Sequence, residues 1–218
     1  VAPTGWGVEG GNRRCAGSAV TRWGGVVGCG FRPGGVLGIA GVDGDGQRAL
    51  GHAHGGLRQG FGGDILIDGV DITRRPVAAR HDSGLSHIPE DRLRRGLILE
   101  YTVADNLILG VQKHFAKRGV IDKDRVMENA MQEISAFDIR PANPVLAARA
   151  LSGGNQQKVV IAREMGRDSS VLLASQPTRG VDVGAIEFIH QQLPEARSKG
   201  KEILLVSAQL MEVLEMSH

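Results

Sequence analysis

From Val36 onward, short apolar runs alternate with amphipathic stretches, and this alternation admits few folds. VLGIA (36–40), DILIDG (64–69), GLSHI (84–88), SVLLAS (170–175) and EILLVS (202–207) are runs of strand length. The stretch from about Gln47, then TVADNLIL (102–109), KDRVMENAMQEISAF (123–137), GGNQQKVVIAREMGR (153–167), VGAIEFIHQQL (183–193) and QLMEVLEM (209–216), read as helices. Strands separated by helices predict an α/β fold: a mainly parallel sheet with helices on both faces. The helical middle, about residues 92–165, reads as an inserted subdomain. Pro194 is expected to end or kink its helix, because an interior proline costs about 3 kcal/mol.

Residues 1–35 are Gly-rich and follow neither period, so they are set apart as a divergent leader that the sequence specifies poorly. The two cysteines, Cys15 and Cys29, lie in that leader without a second pair or a nearby His, which argues for reduced thiols rather than a metal site. With 26 basic and 24 acidic residues, the net charge of +2 argues against a nucleic-acid footprint or a polybasic membrane surface. No apolar run approaches the roughly 20 residues that span a bilayer.

Two motifs carry chemistry. GVDGDG (41–46) joins a strand to a helix, the place where backbone amides and a helix N-terminus cradle phosphate. Gly41, Gly44 and Gly46 have the spacing of a phosphate loop, but Gln47 stands at the Lys position and Arg48 at the hydroxyl position, with Asp43 and Asp45 as added carboxylates. A plain strand-to-helix turn explains this loop equally well. The second motif, LSGGNQQKVVIARE (151–164), opens a helix with Ser152, Gly153 and Gly154, followed by Asn155, Gln156 and Gln157. An ordinary N-cap accounts for Ser152 but not for two glycines that bare the first amides of a helix.

LSGGNQQKVVIARE resembles the signature motif of ABC ATPases, in the form found in ribose-type sugar and nucleoside importers, and it falls about 110 residues after the loop, as in that family. VLLASQPTRGVDVGAIEFIH (171–190) resembles the second cassette of the nucleoside (basic membrane protein type) importers, and the likeness runs from about Val36 to His218. The resemblance implies a P-loop NTPase-like ABC ATPase fold, with ATP as the ligand, over residues 36–218. It also implies that the chain stops short of the family's last strand and helix, leaving the sheet edge beside EILLVS exposed.

By the same resemblance, the family's Mg²⁺-binding Asp and catalytic Glu correspond to Ser175 and Gln176, and its switch His to Ala208. The glutamine that links nucleotide to permease corresponds to Glu90 in HIPEDR (87–92), and Gly180, Val181 and Asp182 form the loop that meets the opposite cassette. Losing one positioned acid or base costs roughly 10²- to 10⁴-fold in rate, so hydrolysis at this chain's own site should be negligible and no metal site is expected in it. Ser152, Gly153, Gly154, Asn155 and Gln156 would instead serve an ATP, with its Mg²⁺, held by another cassette. Bulk at Gly154, as in Gly154→Asp, is expected to block the approach of that phosphate.

The partners implied are an N-terminal cassette of the same polypeptide, two membrane permeases and an extracytoplasmic substrate-binding protein, with the cassette at the cytoplasmic face of the membrane. Two other readings stay open on the residues alone: a permease-free ABC binding module, and a gene fragment without function. Among the remaining features, His52 and His54 are expected on different helical faces, and Arg92, Arg94 and Arg95 on a solvated one. Leu97, Leu99, Leu107 and Leu109 suit either a permease contact or the core. Trp6, Trp23 and Phe31 are the only upstream aromatics available to stack on adenine, and nothing assigns one.

Overall fold

Four of the apolar runs become the strands of a parallel sheet. The computed structural model describes residues 17–21, 26–30, 34–41, 46–58 and 64–216. In chain order the elements are β1 (Gly17–Thr21), β2 (Val26–Gly30), β3 (Val36–Ala40), α1 (Gln47–His54), β4 (Ile65–Ile67), β5 (Val70–Asp71), α2 (Val77–Asp82), β6 (Leu85–Ile88) and α3 (Val103–Leu107). There follow β7 (Ala116–Lys117), β8 (Val120–Ile121), α4 (Lys123–Ala136), α5 (Gly153–Met165), β9 (Val171–Ser175), α6 (Val183–Ser198), β10 (Glu202–Ser207) and α7 (Leu210–Met216).

The parallel sheet has the order β3-β10-β9-β6. Because helices or strands cover both faces, its two inner strands are buried at every position. Alternate residues split between two cores. Leu172, Ala174, Ile203 and Leu205 pack with Val160 and Ile189 on one face. Val171, Leu173, Leu204 and Val206 meet Ile65, Ile67 and Ile72 on the other. Fully burying such a side chain contributes about 1.5–3 kcal/mol. The helical subdomain joins the first core through Val103, Leu107, Val126, Ala130 and Ile134. Arg80, 1% exposed, locks the end of α1 by donating from Nη1 to the carbonyls of Ala53 (2.6 Å) and His54 (2.7 Å).

Three expectations are corrected. The Gly-rich leader contributes β1 and β2, and β1 pairs with β4 through Gly17↔Leu66 and Ser18↔Ile65, so the boundary expected at residue 35 does not separate the leader from the fold. Short Gly-containing strands that borrow a distant partner leave no local period to read. EILLVS is not an edge: β10 lies between β3 and β9, because crossovers set strand order independently of sequence order. Nor does Pro194 end its helix, the first of the two outcomes expected of it. α6 continues to Ser198, with Pro194 exposed and Ala185, Ile189, Leu193 and Ala196 burying a stripe that spans it.

Candidate functional site

The C-terminal ends of β9 and β10 converge on the start of α1, the position where open parallel sheets bind ligands. Gly41 lies between β3 and the loop, while residues 42–45, Gly44 among them, lie outside the described residues. Gly46 precedes α1 with φ +93°, a conformation that favours glycine, and no side chain caps the helix. Among the described residues, a Cβ at Gly46 would meet nothing within 4 Å.

Gln47, Gln176 and Ala208, the positions at which the resemblance leads one to expect reactive groups, are joined by neutral hydrogen bonds. Gln47 Nε2 donates to the Ser207 carbonyl (3.3 Å), Gln176 Nε2 donates to Gln47 Oε1 (3.4 Å), and the Ala208 amide donates to Gln176 Oε1 (3.2 Å). Gln176 holds φ +50° to make this bridge. Ser175 is buried beneath α1, its Oγ without a hydrogen-bond partner and 2.9 Å from where a Cβ would stand on Gly51. These amides and a hydroxyl, with the guanidinium of Arg48 beside them, do not suit Mg²⁺, a hard cation usually held by carboxylates and water. Among the described residues no cluster of three or more His, Cys, Asp or Glu could hold a metal ion.

Glu90 faces the same site. The Arg48 fork grips it from Nε and Nη2, each at 2.9 Å, and Arg179 pairs with it from the loop after β9. The hydrogen bond from Arg48 chiefly holds the Glu90 carboxyl below its usual range. Arg94 and Arg95 are exposed as expected, but Arg92 turns toward the protein and donates to the Arg179 carbonyl (2.9 Å) and the Gly180 carbonyl (3.0 Å). Its acceptors are backbone groups brought from far along the chain, which no local pattern announces.

At the start of α5, exposed Ser152 caps the helix, its Oγ accepting from the Asn155 amide (3.4 Å) and from Asn155 Nδ2 (2.9 Å). Gly153 faces Arg92, and Gly154 is buried. A Cβ at Gly154 would stand 2.5 Å from Asp182 Oδ2 and 3.0 Å from Ala185 Cβ. Bulk there would therefore strike this chain's own α6, which Asp182 caps by accepting from the Ala185 amide (2.9 Å), rather than reach outward to a phosphate. Gln156 is buried and donates to the Ala148 carbonyl (3.1 Å), and Gln157 donates to the Pro177 carbonyl (2.7 Å). Both glutamines brace the motif from behind, since successive helix positions turn away from the face that Ser152 opens.

Further groups escaped the sequence reading. Buried Glu164 lies between Arg163 Nε (2.8 Å) and Arg167 Nε (3.0 Å) and accepts from the His87 amide (3.2 Å). Desolvation pushes its pKa up, but the two guanidinium groups outweigh it and hold the carboxyl below its usual range. The imidazole of His87 is lowered to about 4, mainly by desolvation. The REMGR spacing places these charges within two helical turns, yet spacing alone cannot say that they are inside. His54 is buried, with Nδ1 2.9 Å from the Leu50 carbonyl, while His52 is partly exposed. Leu97 and Leu107 belong to the core, Leu99 packs on it, and Leu109 is partly buried, whereas Leu93, Ile98 and Tyr101 are exposed. Trp6, Trp23, Phe31 and Cys15 lie outside the described residues, as does the side chain of Cys29. No helix among the described residues is long and apolar enough to cross a membrane.

The parallel sheet with helices on both sides and the helical insertion give the chain the α/β, P-loop NTPase-like fold of ABC ATPase cassettes. Solved structures agree. A nucleotide-free ATP-binding cassette from an ABC transporter superposes with TM-score 0.76 at 22% identity, covering 93% of this chain and 85% of that one. The ADP conformation of the cassette MJ1267 gives 0.74 at 21% identity, covering 93% and 85%. The chain belongs to the ABC transporter family, whose model matches residues 26–179. It is 43% identical over 188 residues to the guanosine import ATP-binding protein NupO of Bacillus subtilis (strain 168), covering 85% of this chain and 37% of that protein. Identity is also 43% to the nucleoside import ATP-binding protein NupA of Lactococcus lactis subsp. cremoris (strain MG1363), with the same coverage. It is 39% to the ribose import ATP-binding protein RbsA of Geobacillus kaustophilus (strain HTA426), covering 85% and 38%. The chain thus spans well under half the length of these relatives.

Proposed function

We propose that this chain is the second cassette of a two-cassette import ATPase, and that it presents its signature motif to an ATP held by the other cassette. In this reading the cassette, with its helical subdomain at about 92–165, acts with an N-terminal cassette, two permeases and an extracytoplasmic substrate-binding protein at the cytoplasmic face of the membrane. The solute is a nucleoside or a sugar, as the relatives' names suggest. The observation that carries the reading is the contrast between two surfaces. Gln47, Gln176 and Ala208 are tied to one another by neutral hydrogen bonds, whereas Ser152 stands exposed at the start of α5.

An ATP at the shared site would supply the γ-phosphoryl group whose transfer to water drives import. What this chain contributes is binding. The Ser152 hydroxyl and the first amides of α5 offer donors and the positive helix end to an anion. At its own site, Gln176 stands where a base would activate water, and a neutral amide is a poor base. Glu90 and Asp182 serve this reading by holding the loop that faces the other cassette: Glu90 through Arg179, Asp182 by capping α6. The purified chain should hydrolyse ATP with Mg²⁺ at the background rate of a buffer control. Robust turnover that is lost in Gln47→Ala would overturn the proposal.

A further inference from the structure

The segment after Glu90 is fastened at three points. Glu90 pairs with Arg48 and Arg179. The main chain then forms a π-helical turn, Arg92–Gly96, closed by the Leu97 amide donating to the Arg92 carbonyl (2.9 Å). Gly96 seats that turn on the middle of α5: a Cβ there would stand 3.0 Å from Val160 Cγ2, and its carbonyl accepts from Arg163 Nη1 (2.7 Å). The third fastening is the side chain of Arg92. One arm of its fork donates to the Arg179 carbonyl at 2.9 Å and the other to the Gly180 carbonyl at 3.0 Å. The same Nη2 lies 2.7 Å from where a Cβ would stand on Gly153, and the Gly180 carbonyl lies 3.3 Å from that point. Only a residue without a side chain leaves the guanidinium room to fit between α5 and the loop. Arg92 Nε is buried without a hydrogen-bond partner, so the group is seated for its two carbonyl bonds at the expense of its remaining donor.

We infer that Arg92 is a positioning residue: it fixes the loop of Arg179 and Gly180 against Gly153 at the start of α5, and so sets the direction in which Ser152 is presented. The inference rests on the proposed role of Ser152 toward the other cassette's ATP and goes beyond it by naming the group that aims the motif. The physical case is one of geometry. A planar fork with two parallel donors fixes two successive carbonyls in both distance and orientation, which a single-point ammonium cannot do. The carbonyls belong to the loop leading into Asp182, whose carboxylate caps α6 and lies against Gly154. Releasing the fork therefore loosens both glycines of the motif from one side. Because Arg92 belongs to the turn that carries exposed Leu93, a displacement of that turn is transmitted to the start of α5 through this side chain.

The test uses the intact two-cassette ATPase assembled with its permeases, and a double-mutant comparison of Arg92→Ala with Ser152→Ala. If Arg92 acts through the motif, each single variant lowers the ATPase rate about tenfold, and the double variant is no worse than the poorer single by more than about threefold. Arg92→Lys, able to reach one carbonyl, should recover part of the rate, and the thermal midpoints of the variants compared should agree. A merely structural role gives multiplied losses in the double variant. That result, or an Arg92→Ala rate within twofold of the parent, would overturn the inference. Should Arg92→Ala fail to fold, Arg92→Lys carries the same comparison with Ser152→Ala. If Ser152→Ala alone has no effect, the reading of the motif itself is wrong and the inference falls with it, a result distinct from failure at Arg92 alone.

Discussion

A partly buried histidine gives the residue scale its clearest consequence. His87 sits in β6 above Glu164, and desolvation holds its imidazole at about 4, against 6.5 for the free side chain. Glu164 pulls the value up, while His81, His52 and Arg95 push it down. His52, His54 and His81 are lowered as well, each chiefly by desolvation. Between these values the unfolded chain takes up protons that the folded chain refuses, so stability is fully present above pH 6.5 and is lost as the pH falls toward 4. The melting temperature should therefore drop between pH 7 and pH 5, about where histidine titrates and before the lowered carboxylates Glu90 and Glu164 do, and His87→Asn should reduce the drop. A midpoint that stays flat or rises on acidification across that interval would contradict this. The sequence supplied the identities of such groups, not their burial. Gly154 makes the same point: its place in LSGGNQQ was legible, but not that its missing side chain makes room for Asp182.

At the scale of elements, strands and helices from Val36 onward were legible because apolar period and length agree, as in β9, β10 and α5. Two things were not. Strand order depends on how crossovers pack, which placed EILLVS inside the sheet, and β1 and β2 take their pairing from a distant strand. The expected end of α6 at Pro194 failed for a different reason. Pro194 lies exposed, and the buried stripe of Ile189, Leu193 and Ala196 holds α6 together across it. Helix propensity was overruled there, not absent, so its cost should still be measurable. Pro194→Ala restores the amide and a good helix former, and should stabilise the protein by about 1–3 kcal/mol in urea unfolding. An unchanged or lower midpoint would mean that the proline fits its site without strain.

For the whole molecule, the proposed division of labour rests on two surfaces. One side of the chain ends β9 and β10 in a closed set of amides around Gln47, and another presents Ser152 with Arg92, Gly153 and Gly180 packed behind it. The motifs were readable as words in the sequence. That Gln47 and Gln176 are tied to each other, while Gln156 and Gln157 brace the other motif from behind, follows only from long-range packing. The central claim is that the two surfaces have unequal roles. The most direct measurement is the ATPase rate of the intact two-cassette enzyme, assembled with its permeases, carrying Ser152→Ala or Gln47→Ala at matched expression and melting temperature. Removing a donor aimed at a phosphate in a closed site should lower the rate about tenfold or more for Ser152→Ala. Gln47→Ala, which removes only a neutral hydrogen-bond partner, should stay within about twofold of the parent. Equal losses in the two variants, or a larger loss in Gln47→Ala, would contradict the account.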